Sequence, residues 1–408
     1  MLKPMKRYFF IASLLVLPVF LSGCSLLQQN NTTPADSGGP FSQKVEKGSL
    51  WKTSDGGKTF QVKSKIDEKT NITAADILSI AYHPAKQAVI YVSSIANGIF
   101  KTEDGGESWQ PINFPPKKIY SFILDKNDPD NRMFASGVVG EWGKIFRTDD
   151  GGKNWDEVYT EPGQKTVVTA LSQHFRDMNV VFAGTSAGTV VKSTDGGDTW
   201  KNVGTSGDGA AITGAAIDIT FDATKKLVTY LLIFEQKIYY SPDGGLKWLD
   251  WEEEKNKEVE AIRDEAAKAG LKGNYDEAKR LQQQAQDLSE RNQKNKMPQG
   301  IVSIAADPLA SGIIYAGTSA GLFKSTDYGK YWYEMNIIES AKKFPIRSIA
   351  INPENSKEVV FVAGKAFYKS MNDGETWSVT GLKVDRDASF VSYDPFNTKY
   401  LFVGLRKF

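Results

Sequence analysis

Short segments of alternating apolar and polar residues run through the chain, and residues 300–335 show them most clearly. This stretch reads "GIVSIAADPLASGIIYAGTSAGLFKSTDYGKYWYEM". It contains four β-type segments, "IVSIAAD", "IIYAGT", "GLFKS" and "YWYEM", separated by turns rich in Gly, Pro, Asp and Ser. The pattern predicts four short antiparallel strands in about 36 residues.

The second half of this unit, from the third strand to a closing aromatic residue, recurs along the chain. The related copies are "WKTSDGGKTF" (51–60), "FKTEDGGESW" (100–109), "FRTDDGGKNW" (146–155), "VKSTDGGDTW" (191–200), "YYSPDGGLKW" (239–248), "FKSTDYGKYW" (323–332) and "FYKSMNDGETW" (367–377). Their shared acidic or amide position is Asp55, Asp104, Asp150, Asp195, Asp243, Asp327 and Asn372. The spacing is 45 to 49 residues except for one interval of 84. Four strands per repeat of this length predict an all-β, seven-bladed β-propeller of four-stranded antiparallel blades.

The two ends of the repeat array are complementary. The first copy begins at a third strand (49–57), whereas the last stops after a second strand (387–404). We therefore expect the N-terminal pair of strands to complete the blade that the C-terminal pair begins. Closure of this kind removes the exposed edges of an open sheet. The predicted propeller spans residues 48–408.

The repeated turn has a defined local chemistry. Asp and the preceding Ser or Thr can accept or donate hydrogen bonds within the turn, and Gly supplies positions with positive φ. The motif resembles the Asp-box, Ser-x-Asp-x-Gly-x-Thr-Trp, of sialidase-type (BNR) and sortilin-type propellers. That resemblance implies a structural role for the seven box residues, because Asp-boxes lie on the face away from the ligand in those families.

The long interval reflects an insertion at residues 252–299 without a strand pattern. Apolar residues recur at helical spacing in two series, namely Val259, Ile262, Ala266, Ala269 and Ala278, Leu281, Ala285, Leu288. We predict an α-helical hairpin that turns at residues 270–273. Its position after a fourth strand predicts that it rises on the face opposite the Asp-boxes. It serves either as a docking element or as a solvated decoration.

The N-terminus is typical of an exported lipoprotein. Residues 1–23 contain a basic start and a short apolar run, and they end in "LSG" before Cys24. This resembles a bacterial lipobox, which implies cleavage before Cys24 and lipidation of its thiol; an uncleaved anchor is the alternative. Residues 24–47 are polar and lack periodicity, as in a flexible tether. We expect a lipid-anchored, extracytoplasmic protein of the bacterial cell envelope, at either the inner or the outer membrane.

The amino-acid composition limits the kinds of site and partner that the chain is expected to have. The chain has one Cys and two His, so it forms no internal disulfide, and neither a metal site nor a cofactor is predicted. Lys and Arg (50) balance Asp and Glu (49), which argues against a nucleic-acid partner. His83 and His174 lie at equivalent strand ends and are interpreted as turn residues. Residues 125–131 are oxygen-rich but match Pro-containing turns elsewhere, so a turn is favoured over a calcium loop.

No catalytic residues are predicted. A sialidase site would need three clamping arginines and a Tyr/Glu pair, and the sequence offers no matching motif. Propeller endoglucanases resemble two fused propellers, whereas this chain predicts one. A carbohydrate-active propeller, either a glycoside hydrolase or a glycan-binding lectin, stays open as the alternative function.

Repeats of the type "IYAGTSAGLFKSTDYGKYW" make residues 48–408, apart from the insertion, similar to the photosystem II assembly factor (Ycf48-like) family. The resemblance implies a lipidated, non-enzymatic propeller that binds a membrane-protein subunit through a basic face. An acidic segment of a membrane protein is therefore the expected partner. The candidate face, opposite the Asp-boxes, comprises Lys117, Lys118, Trp142, Lys165, Lys342, Lys343, Arg347 and Arg386. Scattered solvated lysines are the alternative interpretation.

Overall fold

A computed structural model of the protein describes residues 46–116, 118–206, 209–319 and 321–408. Cys24, the signal peptide, nearly all of the tether and Lys117 lie outside these residues. Within them the chain forms 27 strands in seven separate antiparallel sheets, two α-helices and one 3₁₀ turn. The predicted seven-bladed β-propeller with a helical hairpin is confirmed.

The strands follow the repeat in chain order. The first ten are β1 (Leu50–Thr53), β2 (Gln61–Val62), β3 (Ile77–Tyr82), β4 (Ile90–Ser94), β5 (Gly98–Thr102), β6 (Gln110–Ile112), β7 (Ile119–Leu124), β8 (Arg132–Val139), β9 (Trp142–Asp149) and β10 (Asp156–Thr160). The next seven are β11 (Val168–Gln173), β12 (Val181–Thr185), β13 (Val190–Ser193), β14 (Lys201–Asn202), β15 (Ala216–Phe221), β16 (Thr229–Ile233) and β17 (Lys237–Ser241).

The helical hairpin follows, formed by α1 (Trp251–Leu271) and α2 (Tyr275–Lys294). The remaining strands are β18 (Ile301–Ala306), β19 (Ile314–Thr318), β20 (Leu322–Ser325), β21 (Tyr333–Glu334), β22 (Ile346–Asn352), β23 (Asn355–Ala363), β24 (Ala366–Ser370), β25 (Ser378–Gly381), β26 (Asp387–Asp394) and β27 (Asn397–Arg406). A 3₁₀ turn, Ala341–Lys343, precedes β22. Neither helix within the described ranges carries an apolar stretch long enough to span a bilayer.

Blade 1 closes the ring as the sequence predicts. Its strand order is β2-β1-β27-β26, so strands from both ends of the chain share one sheet. β1 pairs antiparallel with β27, with Leu50 opposite Gly404 and Thr53 opposite Leu401. Blades 2 to 7 then begin at β3, β7, β11, β15, β18 and β22. These first strands, together with β26, surround the central channel.

The core lies between the blades. Every residue of the second strands β4, β12, β16 and β19 is buried, because each blade packs between two neighbours. The fourth strands β14 and β21 are exposed at the periphery. Burial on both faces explains why second strands read as continuous apolar or small-residue runs, such as "VFAGT" in β12.

Blade 5 departs from the predicted four strands. It has three strands, β15 to β17, and the expected fourth is reduced to one bridge between Tyr240 and Leu249. The Asp250 side chain accepts a hydrogen bond from the Glu252 amide and caps α1 immediately afterwards. The hairpin thus replaces the outer strand of this blade.

The hairpin packs on the Asp-box turn of blade 6, so the prediction that it lies on the opposite face is wrong. The Trp251 indole nitrogen donates to the Tyr328 carbonyl (2.8 Å), and its ring stacks on Tyr240 at 5.1 Å. On α2, Asn292 accepts from the Tyr331 hydroxyl at 3.0 Å. The cause is the missing outer strand of blade 5. Helix α1 starts directly after an Asp-box turn, because no fourth strand leads the chain from there to the opposite face of the propeller.

Candidate protein-binding face

The propeller has two faces with different connections. One, the Asp-box face, carries the seven box turns and the turns between first and second strands. Backbone bonds join these two kinds of turn, as from Gly105 N to Ala88 O and from Gly196 N to Asn179 O, both at 2.9 Å. The other, the connection face, carries the second-to-third-strand loops and the links from each fourth strand to the next blade.

The box residues are occupied by bonds within their own turns. In blade 4, Ser193 Oγ accepts from the buried amide of Gly197 (2.8 Å) and donates to Asp195 Oδ1 (2.7 Å). Asp195 also accepts from the Thr199 amide at 2.9 Å. Bonds from the hydroxyl and amide of Thr199 lower the pKa of Asp195 to about 2. The same hydrogen bond, from a serine or threonine hydroxyl to the side-chain oxygen of the box residue, recurs at Asp55, Asp104, Asp150, Asp243, Asp327 and Asn372.

The second glycine of the box lies where neighbouring blades come into contact. Gly197 has φ +90°, and a Cβ there would lie 2.5 Å from the Phe134 ring of blade 3. Gly245 approaches Phe182 of blade 4 in the same way, at 2.6 Å. Larger residues would push neighbouring blades apart, so these glycines serve packing.

The two histidines serve as turn acceptors. His174 Nδ1 accepts from the amides of Arg176 (3.2 Å) and Asp177 (3.0 Å), which leaves the proton on Nε2 to donate to Lys226 O at 2.7 Å. Burial lowers the pKa of His174, which favours this neutral form. His83 accepts turn amides in the same way. Equivalent acceptors in the other blades are Asp125, Asp222, Asp307, Asn352 and Asp394.

Residues 125–131 form the corresponding turn of blade 3, with Asp125 accepting the Asn127 amide at 2.7 Å. In the described part of the chain, no group of three or more His, Cys, Asp or Glu side chains is placed to hold a metal ion.

The connection face carries several of the predicted cations. Lys118, Lys165 and Lys343 are exposed there. The Lys165 amide donates to the Glu141 carbonyl at 2.7 Å, which places this lysine beside half-buried Trp142. Lys342 is also present, with its ammonium 3.3 Å from Glu339 and 3.6 Å from Glu334. Its charge is therefore already partly compensated.

Arg386 does not belong to this exposed set, and its assignment to a binding rim is wrong. The residue is 5% exposed. Its guanidinium donates to three backbone carbonyls, those of Ala75 (2.8 Å), Gly48 (3.2 Å) and Thr73, and lies 3.4 Å from Asp76. Ring closure brings these groups around Arg386, so its role is to join the two ends of the ring.

Two arginines meet at the mouth of the channel on the connection face. The guanidinium carbon of Arg347 lies 3.4 Å from the ring centroid of Phe408, and that of Arg406 lies 4.9 Å from it. Burial lowers the pKa of both guanidinium groups, against the opposing charges of Asp387 at Arg347 and Asp76 at Arg406. The charge of Arg406 also lowers the pKa of Arg347. Among the described residues, neither has a carboxylate within 4.0 Å, and the buried Nε of Arg406 has no hydrogen-bond partner.

Below this mouth lies a cavity of about 620 Å³ lined by first strands of all seven blades. Arg347 and Arg406 line it, together with half-buried Asp218. Burial raises the pKa of the Asp218 carboxyl to about 7. The arginine pair, the aromatic ring and the surrounding lysines could bind a carboxylate-bearing segment.

Sequence reasoning found Arg347 but missed Arg406, Phe408 and Asp218. Asp218 had a detectable signal, because it occupies the position after the register shift of each first strand. The other blades have a small residue or an aromatic there, at Ser79, Ser121, Ala170, Ser303, Ser348 and Phe390. Arg406 and Phe408 had no comparable signal, since they lie beyond the repeated motif.

Comparison with known families agrees with this architecture. Residues 68–343 match the family described as Photosynthesis system II assembly factor YCF48, a span that exceeds half of the chain. The chain belongs to this family. No curated protein sequence gives a significant match.

Solved structures of the YCF48 family share the fold at low identity. YCF48 from Cyanidioschyzon merolae is 14% identical with a TM-score of 0.53, covering 81% of this chain and 95% of that one. A structure of YCF48 bound to D1 peptide is 13% identical with a TM-score of 0.54, covering 81% and 93%. At this identity the likeness shows the fold alone.

Glycosidases give a similar fold match. The GH74 xyloglucanase from Xanthomonas campestris is 15% identical with a TM-score of 0.59, covering 81% of this chain. This chain spans about half (51%) of the length of that enzyme. The likeness again shows a shared propeller fold.

Proposed function

We propose that this YCF48-family protein is a non-enzymatic assembly factor that binds an acidic segment of a membrane protein on its connection face. The observation that carries this proposal is the pair Arg347 and Arg406, which share one aromatic ring and have no carboxylate within 4.0 Å among the described residues. A family member has been solved with D1 peptide, which supports a polypeptide ligand.

The electrostatics of the pair favour an anionic ligand. Burial is the main cause of the lowered pKa of both guanidinium groups, and the charge of Arg406 adds to it at Arg347. A carboxylate between them would restore charge-assisted hydrogen bonds and relieve the repulsion. Exposed Lys118, Lys165 and Lys343 would add long-range attraction that weakens with salt.

We further propose that lipid on Cys24 anchors the protein to the extracytoplasmic side of a bacterial membrane. The chain joins the propeller at Glu46, whose amide donates to the Lys383 carbonyl at 2.9 Å. Lys383 lies in the link from β25 to β26, which is on the connection face. A tether from Cys24 would therefore favour presentation of this face to membrane-protein segments.

A carbohydrate-active function is the second candidate, supported by the fold match to GH74 enzymes. Glycosidases generally need two carboxylates about 5 to 10 Å apart. Within the described chain, the cavity on the connection face is lined by one acidic residue, Asp218. This favours binding over hydrolysis.

The test compares the wild-type full chain with Arg347→Glu/Arg406→Glu. Binding of fluorescent D1 peptide is measured by anisotropy at about 20 mM and about 500 mM salt. Capture of proteins from solubilised envelopes is quantified in parallel by mass spectrometry. We expect the variant to lose at least about tenfold in peptide affinity at low salt. Lys58→Glu/Lys247→Glu, on the Asp-box face, is the matched control and should bind normally.

Equal binding by the wild type and the arginine variant would refute the assignment of this face. Reducing-sugar release from xyloglucan by the wild type, lost in Asp218→Asn, would instead support the carbohydrate-active function. Far-UV circular dichroism checks that each variant is folded.

A further inference from the structure

The opposite end of the channel, on the Asp-box face, has a different chemistry. On this face, each first strand leads into one of the seven turn acceptors described above. The seven residues that directly follow these acceptors lie around the channel mouth. Around the ring this next residue is Pro84, Lys126, Phe175, Ala223, Pro308, Pro353 and Pro395. Six are apolar and one is a cation. Since six blades form the turn with an apolar residue, the turn does not require a lysine.

A cavity of about 540 Å³ opens at this mouth, beside Lys126. It is lined mainly by apolar groups of the first strands and turns, including Ile80, Tyr82, Phe122 and Phe396. Phe396 is 41% exposed at the rim. This volume lies within the range that holds a small organic ligand, roughly 300 to 1,000 Å³.

Lys126 is the charged residue among those that line this cavity. Among the described residues, no carboxylate oxygen lies within 4.0 Å of its ammonium group. Surrounding protein lowers the pKa of Lys126, yet the side chain remains open to solvent through the mouth. Its own amide is fixed by a 2.8 Å bond to Gln173 Oε1, which holds the backbone in place. The cation is thus held at the edge of an apolar cavity.

We propose that this cavity binds an amphiphilic monocarboxylate of the fatty-acid type, with its apolar chain in the channel and its carboxylate on Lys126. An apolar chain would gain from contact with Ile80 and Phe122. A single carboxylate would compensate the unpaired ammonium group. A polyanion would meet only one cation, and an uncharged lipid would leave that cation unpaired. This site is separate from the connection face and does not depend on the peptide-binding proposal.

The experiment titrates the full chain with dodecanoate, below its micelle concentration, by isothermal calorimetry, and with dodecanol as the uncharged analogue. Lys126→Met keeps the apolar stem but removes the charge, and Lys126→Arg restores a cation. Lys58→Met, an exposed lysine on the same face, is the matched control. Phe396→Asp adds a negative charge at the rim as an independent disruption.

We expect dodecanoate to bind the wild type, Lys126→Arg and Lys58→Met alike, and to bind Lys126→Met at least about tenfold more weakly. The wild type and Lys126→Met should bind dodecanol with equal affinity. Phe396→Asp should bind dodecanoate more weakly than the wild type does. Absence of dodecanoate binding to the folded wild type would overturn the proposal. Equal dodecanoate affinity for the wild type and Lys126→Met would overturn it as well.

Discussion

Arg386→Met tests whether a buried arginine joins the two ends of the ring. In the wild type, its guanidinium satisfies the carbonyls of Gly48, Thr73 and Ala75, which lie just before β1 and β3. Methionine fills much of the same space but donates no hydrogen bond. Each buried carbonyl left without a partner costs about 1–3 kcal/mol, and partial relaxation reduces the sum. We expect a loss of about 3–5 kcal/mol in the free energy of unfolding, typical of breaking a buried charged network.

The measurement is urea unfolding of the full chain, followed by far-UV circular dichroism. Arg386→Lys retains the positive charge and some hydrogen-bond donors. Its free energy of unfolding should therefore fall by about half as much as that of Arg386→Met. Lys343→Met, an exposed lysine on the same face, should change stability by no more than about 0.5 kcal/mol. Folded Arg386→Met should still bind D1 peptide as the wild type does, because Arg386 is buried. If the unfolding free energy of Arg386→Met were within about 1 kcal/mol of the wild type, Arg386 would not be the group that joins the ring. Weakened peptide binding by the folded variant would instead place Arg386 in the binding face.

Four further predictions follow from the turns, the channel, the hairpin and the anchor. Ser193→Ala should destabilise the fold by about 1–3 kcal/mol in thermal unfolding, and more than Asp195→Ala, because the serine hydroxyl satisfies a buried amide whereas the aspartate is exposed. Asp218 has a folded pKa of about 7, above its ordinary value of 3.8, so its contribution to stability is complete below about pH 4 and lost as pH rises toward 7. Asp218→Asn should therefore flatten the fall in unfolding free energy between about pH 4 and pH 8, and an unchanged slope would contradict this. Replacing residues 253–297 with a short Gly-Ser linker should keep the propeller folded and D1 peptide binding unchanged, since the hairpin packs on the Asp-box face; loss of peptide binding in anisotropy would place the hairpin in the site. Cys24→Ser should abolish metabolic labelling with a palmitate analogue, and retained label would argue against lipidation at this residue.

The blade number and the ring closure could be predicted from the sequence because the turn chemistry is local. Ser193, Asp195 and Gly197 lie within five residues of each other, and their bonds form inside one turn. Each blade that contains this turn therefore also contains the motif in its sequence. Counting its copies and comparing the two chain ends was therefore sufficient to predict seven blades and the shared blade 1.

The position of the hairpin could not be predicted from helical periodicity, which describes the helices but not their contacts. Box six differs from the others at two positions: Tyr328 replaces the first glycine found in boxes one to five, and Tyr331 replaces a small or polar residue. Tyr328 adopts φ +64°, a conformation that glycine provides in boxes one to five, and its carbonyl accepts a hydrogen bond from the Trp251 indole. These departures from the repeat mark the surface on which the hairpin docks.

The candidate site was only partly predictable, because residue type does not reveal burial. Arg347 and Arg386 both precede or begin first strands and looked equivalent in sequence. Closure of blade 1 surrounds Arg386 with carbonyl oxygens, whereas Arg347 meets a second arginine that the chain supplies some 60 residues later. Both outcomes depend on contacts between distant segments, which no local pattern encodes.

Comparison of equivalent positions around the ring offers a physical criterion for function in this fold. At the position of Asp218 the other blades use small residues or phenylalanine, and at the position of Lys126 they use proline, phenylalanine or alanine. Neither ionisable side chain is needed to form a blade, and each faces a channel cavity without an ion-pair partner among the described residues. An ionisable side chain that the blade does not require is a candidate for contact with a ligand, and both positions are therefore suited to the binding tests described above. Asp218 and Lys126 line cavities at opposite ends of the channel, so Asp218→Asn and Lys126→Met perturb the two proposed sites separately.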